Sequence, residues 1–396
     1  MDRPKLFLKS KKDQSLMRQH PWVFSGAIKK IEGFPEEGQI VDVHANKGRF
    51  LGRGMYSDAS ISVRILSFQE QQEIDENFFR EAISKAWNLR SSIGLTENEE
   101  TSIYRLIHAE GDNLPGLVVD VYGKTAIFQA HAPGMHMNKE IIANLIIELS
   151  NGSIESVFDK SAESLPKMYE DKPEANFIIE GKDPEDYYLE NKLKFRIDWK
   201  YGQKTGFFID QRENRHLLGT MSKGKSVLNT FCYSGGFSMY ALEMGAKLVH
   251  SVDSSQAALD VLNENLALNG FDDDRHSTIK ADAMEYVKNL EVDYDIVILD
   301  PPAFAKHVKS RHNAIQGYKR LNSNVISQIK SGGILFTYSC SQVITAKIFR
   351  DTITAAAINV GRQVKILHQM TQPADHPINI FHPESEYLKG LVLYIV

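Results

Sequence analysis

The stretch Ser226-Val227-Leu228-Asn229-Thr230-Phe231-Cys232-Tyr233-Ser234-Gly235-Gly236-Phe237 reads as a buried β-strand that breaks into a glycine turn and runs straight into a helix. Two glycines let a backbone approach a ligand closely, and the amides at the helix N-terminus suit a carboxylate or phosphate, although a plain tight turn uses the same residues. Outward from this turn, strands are expected at 226–231, 248–253, 278–281, 294–300, 333–338, 363–370 and 388–396, with helices between them. Strict alternation of buried strand and helix is the signature of a parallel sheet with helical crossovers. No helical pattern separates the last two strands, so they are expected to pair as an antiparallel hairpin at the sheet edge, unlike an all-parallel dinucleotide fold.

Three carboxylates follow the strands of this sheet. Asp253, before Ser254, ends the second strand, where a carboxylate can accept hydrogen bonds from both hydroxyls of a ribose. Asp282, before Ala283, ends the third, near where an adenine amino group would lie. Each Asp alone could equally be a helix N-cap. Asp300 ends the fourth strand in Leu299-Asp300-Pro301-Pro302-Ala303-Phe304. Proline cannot sit inside a central strand, so two in succession force a stiff exit into the crevice. That rim suits a planar base, with Asp300 accepting from a base N–H and Phe304 stacking on a base or on a neighbour.

Cys340 follows the fifth strand in Thr337-Tyr338-Ser339-Cys340-Ser341, at the same carboxyl edge. Pyrimidine C5 is a poor nucleophile, and one route to methylating it is thiolate addition at C6. The competing reading is a buried packing cysteine. Cys232, inside the glycine turn, is expected to be a small buried hydrophobe. Upstream, Lys204 to Arg215, aromatic then polar and basic, could cover a cofactor while packing Phe207 and Phe208 into the core.

The N-terminal part differs in kind. Short strands at 5–8, 39–43, 49–56 and 61–66, punctuated by glycines, read as a small β-barrel, and a helix follows at 77–90. Strands at 102–109, 117–121, 126–131 and 156–160 and a helix at 138–149 make a second block, and 161–186 has the composition of a loop with some extended pairing. The organisation expected is therefore 1–72, a central α+β domain at 73–188, a linker at 189–203 and the alternating domain at 204–396.

Composition narrows the class. A chain of 396 residues that is 42% hydrophobic and 24% charged is globular, and no stretch approaches a membrane span or the apolar core of a signal peptide, so a cytoplasmic protein without membrane contact is expected. Two cysteines exclude a disulfide scaffold, and neither has metal-ligand spacing, so no metal is expected. The net charge of -5 conceals an asymmetry: +4 over residues 1–72, -13 over 73–190 and +4 over 191–396. Two mildly basic ends permit a polyanion that avoids the acidic middle.

The seven-strand pattern with its antiparallel end resembles the Rossmann-like class I methyltransferase fold. With Arg18-Gln19-His20-Pro21-Trp22-Val23-Phe24-Ser25-Gly26-Ala27, Thr205 to Arg212, Phe231 to Phe237, Asp300 to Phe304, Ser339-Cys340-Ser341 and Ala374-Asp375-His376-Pro377, the whole chain resembles the type I large-subunit ribosomal RNA cytosine-5 methyltransferases with an N-terminal PUA domain. That resemblance implies a PUA domain for RNA contact, a hairpin linker and S-adenosylmethionine as cofactor. It also implies large-subunit rRNA as partner and Cys340 as nucleophile. Asp300 is expected to be catalytic beside it, and a homodimer is one option for the oligomeric state. The cofactor is assigned to Gln211, Arg212, Tyr233, Ser234, Gly235, Gly236, Phe237, Asp253, Ser254, Asp282, Ala283 and Asp300. The target base is assigned to Pro301, Pro302, Phe304 and Lys306. Two departures stand out. The first loop lacks the acidic residue and three spaced glycines common in class I methyltransferases, and Asp300-Pro301-Pro302 replaces the Pro-Cys pair of many RNA cytosine-5 enzymes. The base that removes the C5 proton is then open between His376, Lys306 and a water. The alternatives are an amino-group (N2-guanine or N6-adenine) rRNA methyltransferase, a non-catalytic RNA-binding assembly factor, and a nicotinamide oxidoreductase, which lacks its Gly-x-Gly-x-x-Gly turn.

Overall fold

Runs such as Ile296-Val297-Ile298-Leu299, buried along their whole length, need a sheet covered on both faces. The computed structural model describes residues 3–166, 169, 174–181, 185–271, 273–305 and 307–396. The chain divides into two units, one of Met1–Leu189, Asp198–Gly206 and Ala374–Ser385, the other of Glu190–Ile197, Phe207–Pro373 and Glu386–Val396.

In the first unit, β1 (Lys5–Leu8) precedes the short helix α1 (Gln14–Met17), and β2 (Trp22–Phe24), β3 (Ile28–Glu32), β4 (Ile40–His44), β5 (Phe50–Tyr56) and β6 (Ile61–Ser67) follow. These strands form one mixed sheet in the order β2-β6-β5-β4-β1-β3, with β1 and β4 the parallel pair, over a core that includes Leu6, Leu8, Val41, Val43, Val63 and Ile65. A Cβ at Gly54 would collide with the Arg64 carbonyl, so β5 and β6 close to a distance that only glycine permits. Strands β2 and β3 were not apparent from sequence: β2 has three residues, and β3 is almost wholly exposed, so neither carries an apolar alternation.

The same unit continues with α2 (Glu76–Ser92), β7 (Ile103–His108), β8 (Leu117–Tyr122), β9 (Thr125–Ala130), α3 (Pro133–Met137), α4 (Lys139–Leu149), β10 (Ser156–Asp159) and β11 (Asn176–Ile179). The five strands are ordered β11-β10-β9-β8-β7, and Phe79, Ile83, Ile142 and Ile146 of α2 and α4 fill the core against them. The segment Ala374–Ser385 joins this unit although strands of the other unit flank it in sequence. Arg90, with no exposed side-chain area, donates to both oxygens of Asp112 at 2.5 and 2.8 Å and to the Asp375 carbonyl at 2.7 Å.

The hairpin β12 (Tyr188–Glu190) and β13 (Leu193–Phe195), turning at Asn191 and Lys192 with positive φ, leads into the second unit. There α5 (Arg212–Met221), β14 (Ser226–Thr230), α6 (Gly236–Glu243), β15 (Leu248–Asp253), α7 (Gln256–Asn269), β16 (His276–Lys280) and α8 (Ala283–Tyr286) come first. They are followed by β17 (Ile296–Leu299), α9 (Arg311–Gln328), β18 (Ile334–Ser339), α10 (Ala346–Asn359), β19 (Val364–Met370) and β20 (Lys389–Ile395). The strand order is β16-β15-β14-β17-β18-β20-β19. β14 to β18 run parallel to one another, and β20 runs antiparallel to both β18 and β19, as the missing helix between the last two strands requires. The order reverses at β14, which puts a ligand crevice at the carboxyl ends of β14 and β17.

Candidate active site

The turn after β14 is held in a sparsely populated conformation. Phe231, Tyr233 and Gly235 all have positive φ, at 54°, 47° and 81°. Such φ values are uncommon for non-glycine residues and persist only where their surroundings enforce them. Here the Cys232 N–H donates to the Val252 carbonyl at 3.1 Å, the Tyr233 N–H to Asp253 Oδ2 at 3.0 Å, and Asn265 Nδ2 to the Ser234 carbonyl at 2.9 Å. The turn also rests on Arg215: a Cβ at Gly236 would stand 2.9 Å from Arg215 Cδ. Arg215 is buried, donates to both oxygens of the buried Glu190 at 2.8 and 2.6 Å, and donates to the Phe208 carbonyl at 2.9 Å. Burial opposes its charge, but Glu190 keeps the guanidinium firmly protonated. Ser234, Gly236 and Phe237 are buried, and the half-buried Tyr233 ring meets Phe208 edge-on at 5.3 Å.

Asp253 is half-buried at the end of β15, and each of its oxygens takes one backbone N–H, Tyr233 on Oδ2 and Ser255 on Oδ1 at 2.9 Å. A carboxylate oxygen accepts two hydrogen bonds, so both keep a lone pair for a hydroxyl. Asp282 is exposed and caps α8, with Oδ1 accepting from Met284 at 2.7 Å and Glu285 at 3.3 Å. The cap uses only Oδ1, and Oδ2 takes no donor among the described residues. Ser254 is exposed beside Asp253, and Ala283 is buried behind Asp282. This set of acceptors fits the hydroxyls and amino group of a nucleoside.

Asp300 and Cys340 stand at the carboxyl ends of β17 and β18, neighbouring parallel strands in which Leu299 pairs with Thr337. Side chains tie the two exits together. The Ala305 N–H donates to Ser341 Oγ at 3.4 Å, Ser339 Oγ donates to the Tyr318 hydroxyl at 2.9 Å, and that hydroxyl lies 3.3 Å from Ser341 Oγ. Asp300 Oδ2 accepts from Gln211 Nε2 at 2.9 Å. Cys340 is half-buried, whereas Cys232 is 6% exposed and burial, helped by the nearby Asp253 charge, pushes its thiol pKa far up. Pro301 is buried and Pro302 exposed, while the Phe304 ring packs on Tyr318 with centroids 4.6 Å apart. Lys306 lies outside the described residues.

Arg212 is 3% exposed and reaches Glu213 at 3.3 Å. His376, one of three expected proton acceptors, belongs to the first unit, where it hydrogen-bonds Asp375 at 3.1 Å and faces the His108 ring at 5.0 Å. Sequence reasoning missed Tyr318 and Lys389; the signal for Lys389 was a lone charge in an otherwise apolar last strand.

Residues 168–378, more than half of the chain, match the S-adenosylmethionine-dependent methyltransferase family, and residues 6–68 match the PUA-like domain family. Over its length the chain is similar to proteins named ribosomal RNA large subunit methyltransferase I. It is 37% identical to that of Shewanella amazonensis, covering 97% of this chain and 98% of the other, and 37% identical to that of Alteromonas mediterranea, covering 98% of each. The chain belongs to the ribosomal RNA large subunit methyltransferase I family. Its fold matches a solved Streptococcus mutans chain with a TM-score of 0.84 at 21% identity, covering 99% of this chain and 100% of that one. A second structure with the same TM-score is complexed with SAH. The chain is an S-adenosylmethionine-dependent methyltransferase. Among the described residues, no helix is long and apolar enough to cross a membrane.

Proposed function

We propose that the chain forms 5-methylcytosine in large-subunit ribosomal RNA through a covalent adduct on Cys340. The observation that carries this reading is the placement of a half-buried cysteine beside Asp300 at the ends of two neighbouring strands. An amino-group mechanism gives that cysteine no task.

The bound cofactor supplies an electrophilic methyl group on its sulfonium. Asp253 would accept hydrogen bonds from its ribose and Asp282 one from its adenine. Tyr233 to Phe237, Ser254, Ala283, Gln211 and Arg212 would hold the rest of it. A cytosine drawn out of the RNA lies against Pro301, Pro302 and Phe304, with Asp300 at its Watson–Crick edge. The Cys340 thiolate adds to C6 and the C5–C6 π pair moves to C5, the carbon to which the cofactor would supply its methyl group, its sulfonium leaving as the neutral thioether. Transfer of the C5 proton to a base then restores the double bond as the C6–sulfur bond breaks, returning the thiolate. Residues 1–72 are assigned to RNA contact, 73–188 to a central domain, 189–203 to the linker and 204–396 to catalysis.

The test is RNA carrying 5-fluorocytidine. Fluorine at C5 cannot leave as a proton, so the wild-type protein with cofactor should form an adduct stable to denaturation, and Cys340→Ala should form none. An adduct with Cys340→Ala, or none with either protein, contradicts the reading.

A further inference from the structure

Lys389 opens β20 directly across from Ser339, the last residue of β18, and is 5% exposed. Its ammonium donates to the Ser341 carbonyl at 2.7 Å and to the Tyr387 carbonyl at 2.6 Å, so the side chain reaches past Cys340 to the residue that follows it. An ammonium carries three N–H bonds, and the third finds no acceptor among the described residues. A cation buried in this way costs stability unless something compensates it. Burial pulls the Lys389 pKa down to about 8, and the groups that draw it back up are Cys340 and Glu386. Glu386 is exposed, which leaves the half-buried Cys340 as the partner inside the site. Tyr318 also acts electrostatically with Cys340, but burial raises its pKa and its hydroxyl is engaged by Ser339 and Ser341, so it stays neutral.

We propose that Lys389 is a positioning residue for the methyl transfer, its ammonium holding Cys340 as the thiolate near neutral pH once the thiol proton has left to solvent. This rests on Cys340 being the nucleophile. Loss of the positive charge should therefore raise the pH at which Cys340 becomes reactive, with no RNA needed to see it.

The experiment is alkylation of the full-length protein by iodoacetamide across pH 5 to 10, read by mass spectrometry on the peptide that carries Cys340. The buried Cys232 serves as a slow internal control. The wild-type midpoint should lie below the ordinary cysteine value of about 8.5. Lys389→Met should raise it by about one unit or more, and Lys389→Arg should restore it. A wild-type midpoint at or above about 8.5 overturns the proposal without any variant. So does a Lys389→Met midpoint equal to wild type in a protein with unchanged thermal unfolding. Failure of the 5-methylcytosine assignment is read separately, from RNA nucleosides.

Discussion

Gln211 Nε2 donates to Asp300 Oδ2 at 2.9 Å, and Asn214 Nδ2 fixes the same amide by donating to its Oε1 at 2.5 Å. Gln211 is 4% exposed, so the acidic residue of the Asp-Pro-Pro turn is oriented by a buried amide from just before α5. Removing a partner from such a pair costs about 1–3 kcal/mol. Gln211→Ala should lower kcat/KM about tenfold or more while far-UV circular dichroism stays unchanged; undiminished kcat/KM would show that Asp300 needs no such support.

Asp253 and Asp282 should separate in a titration with S-adenosylmethionine. Asp253→Ala removes the acceptor for the ribose and for the Tyr233 N–H, so cofactor affinity should fall by about tenfold or more. Asp282→Ala should weaken binding less and also cost about 1 kcal/mol of stability as a lost helix cap. Calorimetry and urea unfolding together check both, and an Asp253→Ala protein with wild-type affinity would remove the carboxylate from the cofactor site.

Gly235 has φ of 81°, and a Cβ there would stand 2.8 Å from Leu262 Cγ. Gly235→Ala should destabilise the protein by about 1–3 kcal/mol through backbone strain alone. The urea midpoint measures it, and a midpoint equal to wild type contradicts the geometry of the turn.

Burial, together with the charge of the nearby His250, holds the His276 imidazole down to about 4, while its Nε2 meets Ser251 Oγ at 2.8 Å. Between pH 6.5 and about 4 the unfolded chain binds a proton that folded His276 refuses, so stability should fall as pH drops through that window. His276→Gln should flatten that part of the curve. Urea midpoints at several pH values report it, and a slope unaltered by the substitution would assign the acid loss to other groups.

What the sequence disclosed follows the range of the interactions involved. The β14 turn, Asp253 and the Asp300 to Phe304 exit were legible because a strand end, a glycine pair and two prolines act on their own neighbours. The positive φ of Phe231 and Tyr233 was not, because it is enforced by Val252, Asp253 and Asn265 from other elements. The Glu190–Arg215 pair joins the linker hairpin to α5, and no pattern in either segment signals it. The placement of Ala374–Ser385 with the first unit depends on Arg90 and Arg105, which lie far off in sequence: the Arg105 N–H donates to Asp375 Oδ2 at 3.0 Å. The edge strand β3, with its Lys-Lys pair facing solvent, offered no alternation to read.

The most direct measurement is nucleoside mass spectrometry of large-subunit rRNA incubated with S-adenosylmethionine and either the wild-type protein or Cys340→Ala. The account predicts new 5-methylcytosine with the first and none with the second, although Cys340→Ala still binds cofactor. A methylated exocyclic amine, formed equally well by both proteins, would contradict it.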